Sequence, residues 1–219
     1  VIEAINQQDK ALLCEELGDV LMQVVFHAQM EAEEGSFTFE NVADGVCKKL
    51  IERHPHVFGE VEVTGSEEVL RNWDDIKKRS KGQTSQTETM LSVPRELPAL
   101  MRATKVQKKA AKVGFDWPDI SGAVDKLYEE TSELSGAIES GSEEEIAEEL
   151  GDLLFSAVNV SRFVGCDAEE ALTAATDKFM RRFACVEEKA RERGLKLEEL
   201  SLSELDALWD EAKLDLLSK

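Results

Sequence analysis

A pentapeptide that recurs unchanged constrains the fold more than any other feature of this chain. Glu15-Glu16-Leu17-Gly18-Asp19 returns as Glu148-Glu149-Leu150-Gly151-Asp152, an offset of 148 − 15 = 133. Upstream, Ala4-Ile5 falls on Ala137-Ile138; downstream, Val20-Leu21 falls on Leu153-Leu154 and Val25 on Val158. Farther on the offset becomes 129, and Lys49-Leu50-x-x-Arg53 resembles Lys178-Phe179-x-x-Arg182. A five-residue identity with an internal Gly is a poor match for coincidence between two amphipathic segments, so two copies of one structural unit are expected.

Each copy reads as helical. From Ala11 to Met30, apolar residues recur at helical spacing (Leu13, Leu17, Leu21, Val24, Val25, Ala28), with Gly35 just past the end. Further helices are expected at about Phe39–Arg53, Ser66–Lys78 and Pro98–Val113, the first of these three stopped by His54-Pro55. The segment from His56 to Thr64 reads as irregular or briefly extended. In the second half, helices are expected over about Ser121–Glu139, Ser142–Val164, Asp167–Arg193 and Leu202–Leu216. Their stops are Ser140-Gly141, Gly165 and Gly194; Ser142 with Glu145 has the form of a capping box, and Asp167 with Glu170 caps in the same way. With no convincing strands, the fold class is all-α, built on antiparallel helix hairpins. The polar stretch beginning at Lys81 is the linker candidate, giving units at 1–80 and 97–219 joined by 81–96.

Charge narrows the function. With 46 acidic against 26 basic residues the formal net charge is −20, unsuited to sequence-independent nucleic-acid binding or to an anionic membrane surface. No apolar run approaches the ~20 residues that span a bilayer, and no signal peptide is visible. Cys14, Cys47, Cys166 and Cys185 are scattered and read as reduced cytoplasmic thiols in or near the core. There is no P-loop, no G-x-G-x-x-G and no nucleophilic triad; His54-Pro55-His56 lacks zinc-site spacing and reads as a turn. An acidic protein of this kind binds phosphates through metal ions.

The acids of the second copy suit that task. Glu130 and Glu133 share one helix face, as do Glu149 and Asp152. Glu133 and Glu149 lie 141 − 133 = 8 and 149 − 141 = 8 residues from Gly141; Glu130 and Asp152 each lie 11 from it. An antiparallel hairpin brings the two pairs together at matching heights. Four like charges so close disfavour one another's ionised form, and hard divalent cations with oxygen ligands relieve that repulsion. Glu129, Glu143, Glu144 and Glu148 read as surface or supporting positions.

The pattern Glu129-Glu130-x-x-Glu133 followed by Glu149-x-x-Asp152 resembles the MazG family of nucleoside triphosphate pyrophosphohydrolases. The stretches from Glu52 to Gly59, Leu97 to Ala103 and Val113 to Trp117 are also similar to this family, so the resemblance covers essentially the whole chain in a tandem two-unit arrangement. It implies a Mg²⁺-dependent reaction, with Mn²⁺ an alternative ion, converting a ribo- or deoxyribonucleoside triphosphate such as ATP to monophosphate and pyrophosphate. By motif position Glu130, Glu133, Glu149 and Asp152 are the metal ligands. Lys178 and Arg182 hold phosphate oxygens, Glu130 or Glu129 orients or deprotonates the attacking water, and Lys126, Tyr128 and Asn159 contact the nucleotide. Trp209 either stacks on the base or packs in a core or interface. The resemblance implies a cytoplasmic homodimer engaged in nucleotide-pool housekeeping or regulation, without nucleic-acid or membrane partners.

The first copy departs from the pattern. At the offset of 133, the counterparts of Glu133 and Glu130 fall at positions 0 and −3, before Val1, while Glu16, Asp19, Lys49 and Arg53 are present. As it stands this copy is expected to be catalytically incompetent. Two competing readings are a helical interaction module with an acidic face for a basic partner, and a metal-binding structural protein without catalysis.

Overall fold

The computed structural model describes residues 1–59, 61, 65–80 and 82–217. All regular structure among them is helical, as the sequence pattern requires. The chain divides into two compact units, Val1–Gln83 and Thr84–Lys219.

The first unit comprises α1 (Ile2–Asn6), α2 (Lys10–Glu33), α3 (Phe39–Arg53), α4 (Pro55–Phe58) and α5 (Ser66–Ser80). Asp9 caps α2 by accepting from the Ala11 and Leu12 amides. Pro55 stops α3 but also opens α4, because its fixed φ suits a first helical position. Part of the segment expected to be irregular is therefore helical; residues 60 and 62–64 lie outside the described residues.

The second unit comprises α6 (Gln86–Leu91), α7 (Ala99–Ala111), α8 (Ile120–Ser140), α9 (Glu143–Phe163), α10 (Ala168–Glu192), a 3-10 turn (Leu197–Glu199) and α11 (Leu202–Leu217). The stretch read as a linker contains α6. Its cap is reciprocal: Glu88 N–H donates to Ser85 Oγ, and the Glu88 carboxylate accepts from the Ser85 and Thr84 amides. Gln86 then donates to the Lys109 carbonyl at 2.5 Å, tying α6 to α7.

The most extensive packing in the molecule is α8 against α9. Gly141 joins them in the left-handed region at φ 75°, where a side chain is disfavoured. The cap that follows is only half the expected box. Glu145 N–H does donate to Ser142 Oγ, but the Glu145 carboxylate accepts from the Ser140 hydroxyl. Ser140 stands closer along the turn and satisfies the Ser142 amide itself, at 3.4 Å.

The repeat is structural as well as textual. Adding 133 carries the N-cap Asp9 onto the N-cap Ser142 and the first helical residue Lys10 onto Glu143. It also carries Gln8, a non-glycine residue at φ 55°, onto Gly141. Adding 129 carries the N-cap Thr38 onto the N-cap Asp167. Each copy therefore repeats the same helix–turn–helix–loop–helix path.

A buried cluster of Val186, Ala190, Leu208 and Ala212 welds α10 to α11, with Cys185, Leu200 and Trp209 packed against it. Burying a side chain such as Leu208 contributes about 2 kcal/mol. Of the four cysteines, all free, only Cys185 joins a core; Cys14, Cys47 and Cys166 are exposed, contrary to the sequence expectation. Helical periodicity does not distinguish a small thiol at the edge of an apolar stripe from one at its centre. Among the described residues no helix is long and apolar enough to cross a membrane.

Candidate metal centre and the residues around it

The hairpin of α8 and α9 brings three of the four expected carboxylates together. Glu130, Glu133 and Glu149 each offer an oxygen, and these oxygens lie within 4.8 Å of one another. No other such group of three occurs among the described residues. The register follows from the short turn: residues equidistant from Gly141 face each other across an antiparallel pair. Glu130 is only 3% exposed, Glu149 half-buried and Glu133 exposed. Asp152 falls outside the 4.8 Å group yet still acts on Glu149 electrostatically.

The Glu149 carboxyl is held above the usual carboxylate range. Desolvation is the largest cause, followed by the charges of Glu133, Glu130, Asp152 and Glu148. Among the described residues, Lys126 counters this charge. Lys126 reaches Glu130 at 2.5 Å and Glu129 at 2.9 Å, and both hydrogen bonds hold its ammonium firmly protonated. Three carboxylate oxygens so close together, with Lys126 against them, fit a hard divalent cation. Lys126, expected to contact the nucleotide, pairs with the two carboxylates three and four residues on along α8. Glu129 is exposed beside it.

The remaining candidates divide into two places. Lys178 is exposed on α10, and Arg182, one turn on, is half-buried with its guanidinium 5.9 Å from the Trp209 ring centre. Trp209 also meets Phe179 at 5.1 Å and leans on the α10–α11 core. Tyr128 is exposed. Asn159 lies two turns beyond Asp152 on α9, and its Oδ1 accepts from Arg162 at 2.8 Å. Arg162 in turn grips Asp116 through both terminal nitrogens, at 2.8 and 2.5 Å. These hydrogen bonds hold the Asp116 carboxyl below the usual range.

Sequence reasoning missed two features. The first is this Arg162–Asp116 pair, 46 residues apart, for which no local signal exists. The second is a further stretch of repeat. Trp73-Asp74-Asp75-x-Lys77 matches Trp209-Asp210-Glu211-x-Lys213 at a third offset, 209 − 73 = 136. In the first unit Arg53 stands 5.3 Å from the Trp73 ring, as Arg182 stands against Trp209. Aligning the two tryptophans would have found it.

Comparison with known proteins accords with this geometry. The MazG nucleotide pyrophosphohydrolase domain matches residues 1–58 and again 121–186, the two repeat copies. A nucleoside triphosphate pyrophosphohydrolase of Escherichia coli (strain K12) is 43% identical over 97% of this chain and 82% of its own length. The nucleoside triphosphate pyrophosphohydrolase/pyrophosphatase MazG of Thermotoga maritima is 45% identical over 97% of this chain and 80% of its own. A nucleoside triphosphate pyrophosphohydrolase of Mycobacterium tuberculosis is 34% identical over 52% of the chain and 35% of its own length. With the repeat, the all-α hairpins and the acidic cluster in the matched segments, this chain belongs to the MazG nucleotide pyrophosphohydrolase domain family.

Proposed function

We propose that this chain hydrolyses nucleoside triphosphates, ribo- or deoxyribo-, to monophosphate and pyrophosphate, at a Mg²⁺ site in its second unit. The observation that carries the reading is the convergence of Glu130, Glu133 and Glu149 within 4.8 Å on one hairpin. These three, with Asp152 one helical turn from Glu149, would hold the ion, and Mn²⁺ suits the same oxygen ligands. Bound Mg²⁺ supplies neutralisation of phosphate charge and acidification of water.

The chain's own groups supply the rest. Lys126 holds Glu130 in place through their ion pair, so the site is preorganised despite its charge. Glu130 orients the attacking water, and Glu129, exposed beside it, takes the proton. Lys178 and Arg182 share a face of α10 and offset the charge that grows on the leaving pyrophosphate. Asn159 and Tyr128 contact the nucleoside end.

The reading extends to assembly and setting. Leu150, Leu154, Phe179, Met180 and Phe183, on α9 and α10, are each more than 40% exposed. Large apolar side chains on adjacent helices mark an association surface, and a homodimer is the simplest closed assembly that covers them. Light scattering on a sizing column should give twice the chain mass; a monomer at micromolar concentration would refute the dimer. Four free cysteines suit a reducing cytoplasm, where the reaction serves nucleotide-pool housekeeping or regulation.

The test of the reaction is a panel of ribo- and deoxyribonucleoside triphosphates assayed separately for pyrophosphate and phosphate. Mg²⁺-dependent pyrophosphate release in step with monophosphate is expected. Phosphate with diphosphate as products, or no turnover of any triphosphate, would overturn the assignment.

A further inference from the structure

The turn before α8 is tied to the end of α9 by side chains outside the acidic cluster. Asp116 accepts from both terminal nitrogens of Arg162, at 2.8 and 2.5 Å, and from the Trp117 amide at 3.0 Å. The Arg162 side chain is only 13% exposed and its guanidinium lies 4.7 Å from the Phe163 ring centre. It also donates to Asn159 Oδ1 at 2.8 Å. A guanidinium gripped on two sides by a carboxylate and an aromatic ring has one orientation to offer the amide.

That orientation decides which way the amide faces. A guanidinium carries donors and no acceptor, so only the Asn159 oxygen can meet it; a flipped amide would set N–H against N–H. Asn159 Nδ2 therefore points away from Arg162. Among the described residues no group accepts from it, and it is not a buried atom without a partner, so its hydrogens open onto accessible space. Asn159 lies 159 − 152 = 7 residues beyond Asp152, about 10 Å along α9 at ~1.5 Å per residue and on nearly the same face.

The fold does not depend on these contacts. At the offset of 133, which aligns α2 with α9, Asn159 falls on Phe26 and Arg162 on Gln29. Phe26 is exposed, and Gln29 donates to Glu33 within its own helix at 3.0 Å. The first copy thus builds the same long helix without them. What the second copy adds at these positions serves what the second unit does rather than how it folds.

We infer that Arg162, held by Asp116, is a positioning residue that locks Asn159 as a hydrogen-bond donor to an acceptor atom of the substrate's nucleoside. The inference rests on the reading that the acidic cluster takes the phosphates and Asn159 meets the nucleoside end. An amide that cannot flip accepts nothing from the substrate, so a substrate donor at that point is refused.

The experiment uses the full chain with Mg²⁺ and ATP, and turns on Asn159→Asp. The carboxylate keeps an acceptor for Arg162 but has no N–H. It should raise KM by about tenfold or more with a melting temperature at or above wild type; a wild-type KM would overturn the donor role. Arg162→Lys, whose ammonium cannot fork to Asp116 and Asn159 together, should raise KM by about as much, and KM more than kcat. In an Asn159→Ala background the same change should add no more than about twofold, since no amide is left to orient. Equal effects of Arg162→Lys in both backgrounds would overturn the inference and leave Arg162 a purely structural part. If Arg162→Lys does not fold, Asp116→Asn takes its place in the same cycle. Repeating Asn159→Asp with 2′-deoxy- and 3′-deoxy-ATP locates the acceptor: an effect lost with one analogue places it on that sugar hydroxyl, and an effect kept with both places it elsewhere on the nucleoside. The two readings fail separately: a wild type that releases no pyrophosphate refutes the reaction, whereas normal turnover with additive variants refutes only the role of Arg162.

Discussion

Glu149→Gln is expected to lower Mg²⁺-dependent pyrophosphate release by on the order of a thousandfold and, at the same time, to stabilise the metal-free protein at neutral pH. Both effects follow from one arrangement. Glu149 is half-buried among Glu133, Glu130, Asp152 and Glu148, and its carboxyl is held above the usual range. A carboxyl raised in the folded state contributes stability below the ordinary carboxylate pKa. That contribution is lost as pH rises through the raised value. At pH 7 the ionised wild-type side chain therefore opposes folding, and the neutral amide does not. The metal-free variant should melt above metal-free wild type at pH 7, with the gap closing as pH falls toward 4. Mg²⁺ should raise the melting temperature of wild type and do little for the variant. Full pyrophosphate release by the variant, or equal Mg²⁺ stabilisation of both proteins, would refute Glu149 as a ligand. A variant merely damaged in folding would lose stability at every pH, so the sign of the shift separates the two explanations.

The second large effect belongs to Arg182. Its guanidinium stands 5.9 Å from the centre of the Trp209 ring, one helical turn from Lys178. A guanidinium held against an aromatic face is oriented before substrate arrives, whereas the exposed Lys178 is a mobile point charge. Arg182→Ala is expected to reduce kcat/KM by about a hundredfold, mostly in kcat, because the charge it meets develops as pyrophosphate departs. Arg182→Lys should recover only a small part, since an ammonium neither forks to two phosphate oxygens nor stacks on Trp209. Steady-state kinetics with a thermal melt on each variant checks this. Near-wild-type kcat/KM for Arg182→Ala would remove Arg182 from the site, and a collapse in melting temperature would assign it to holding Trp209.

Much of this molecule is legible along the chain. Phe39–Arg53 is helical over the range expected from its periodicity and the His54-Pro55 stop, and α8 to α11 begin and end within a residue or two of expectation. Their caps and glycine stops are local: an Asp, Ser or Thr oxygen reaches amides two or three residues on, whatever the rest of the protein does. The same locality hid α6, whose polar composition resembles a loop, although Ser85 and Glu88 carry a complete capping box. The half-box at Ser142 shows the limit of such motifs, since Ser140, a neighbour outside the motif, competes for Glu145.

The repeat, the all-α class and the pairing of Glu130 and Glu133 with Glu149 follow from sequence alone. Helical periodicity fixes which residues share a face, and a short turn fixes which heights oppose. Tertiary structure decided what stands between those faces. Lys126 is paired with Glu130, Asp152 stands outside the tight triad, and Trp209 leans on a core. Gln107 and Arg162, on helices distant in sequence, each bury a polar atom without a hydrogen-bond partner. Such facts depend on the rotation of each helix about its axis and on the rotamers that packing selects. No spacing along a single helix records either.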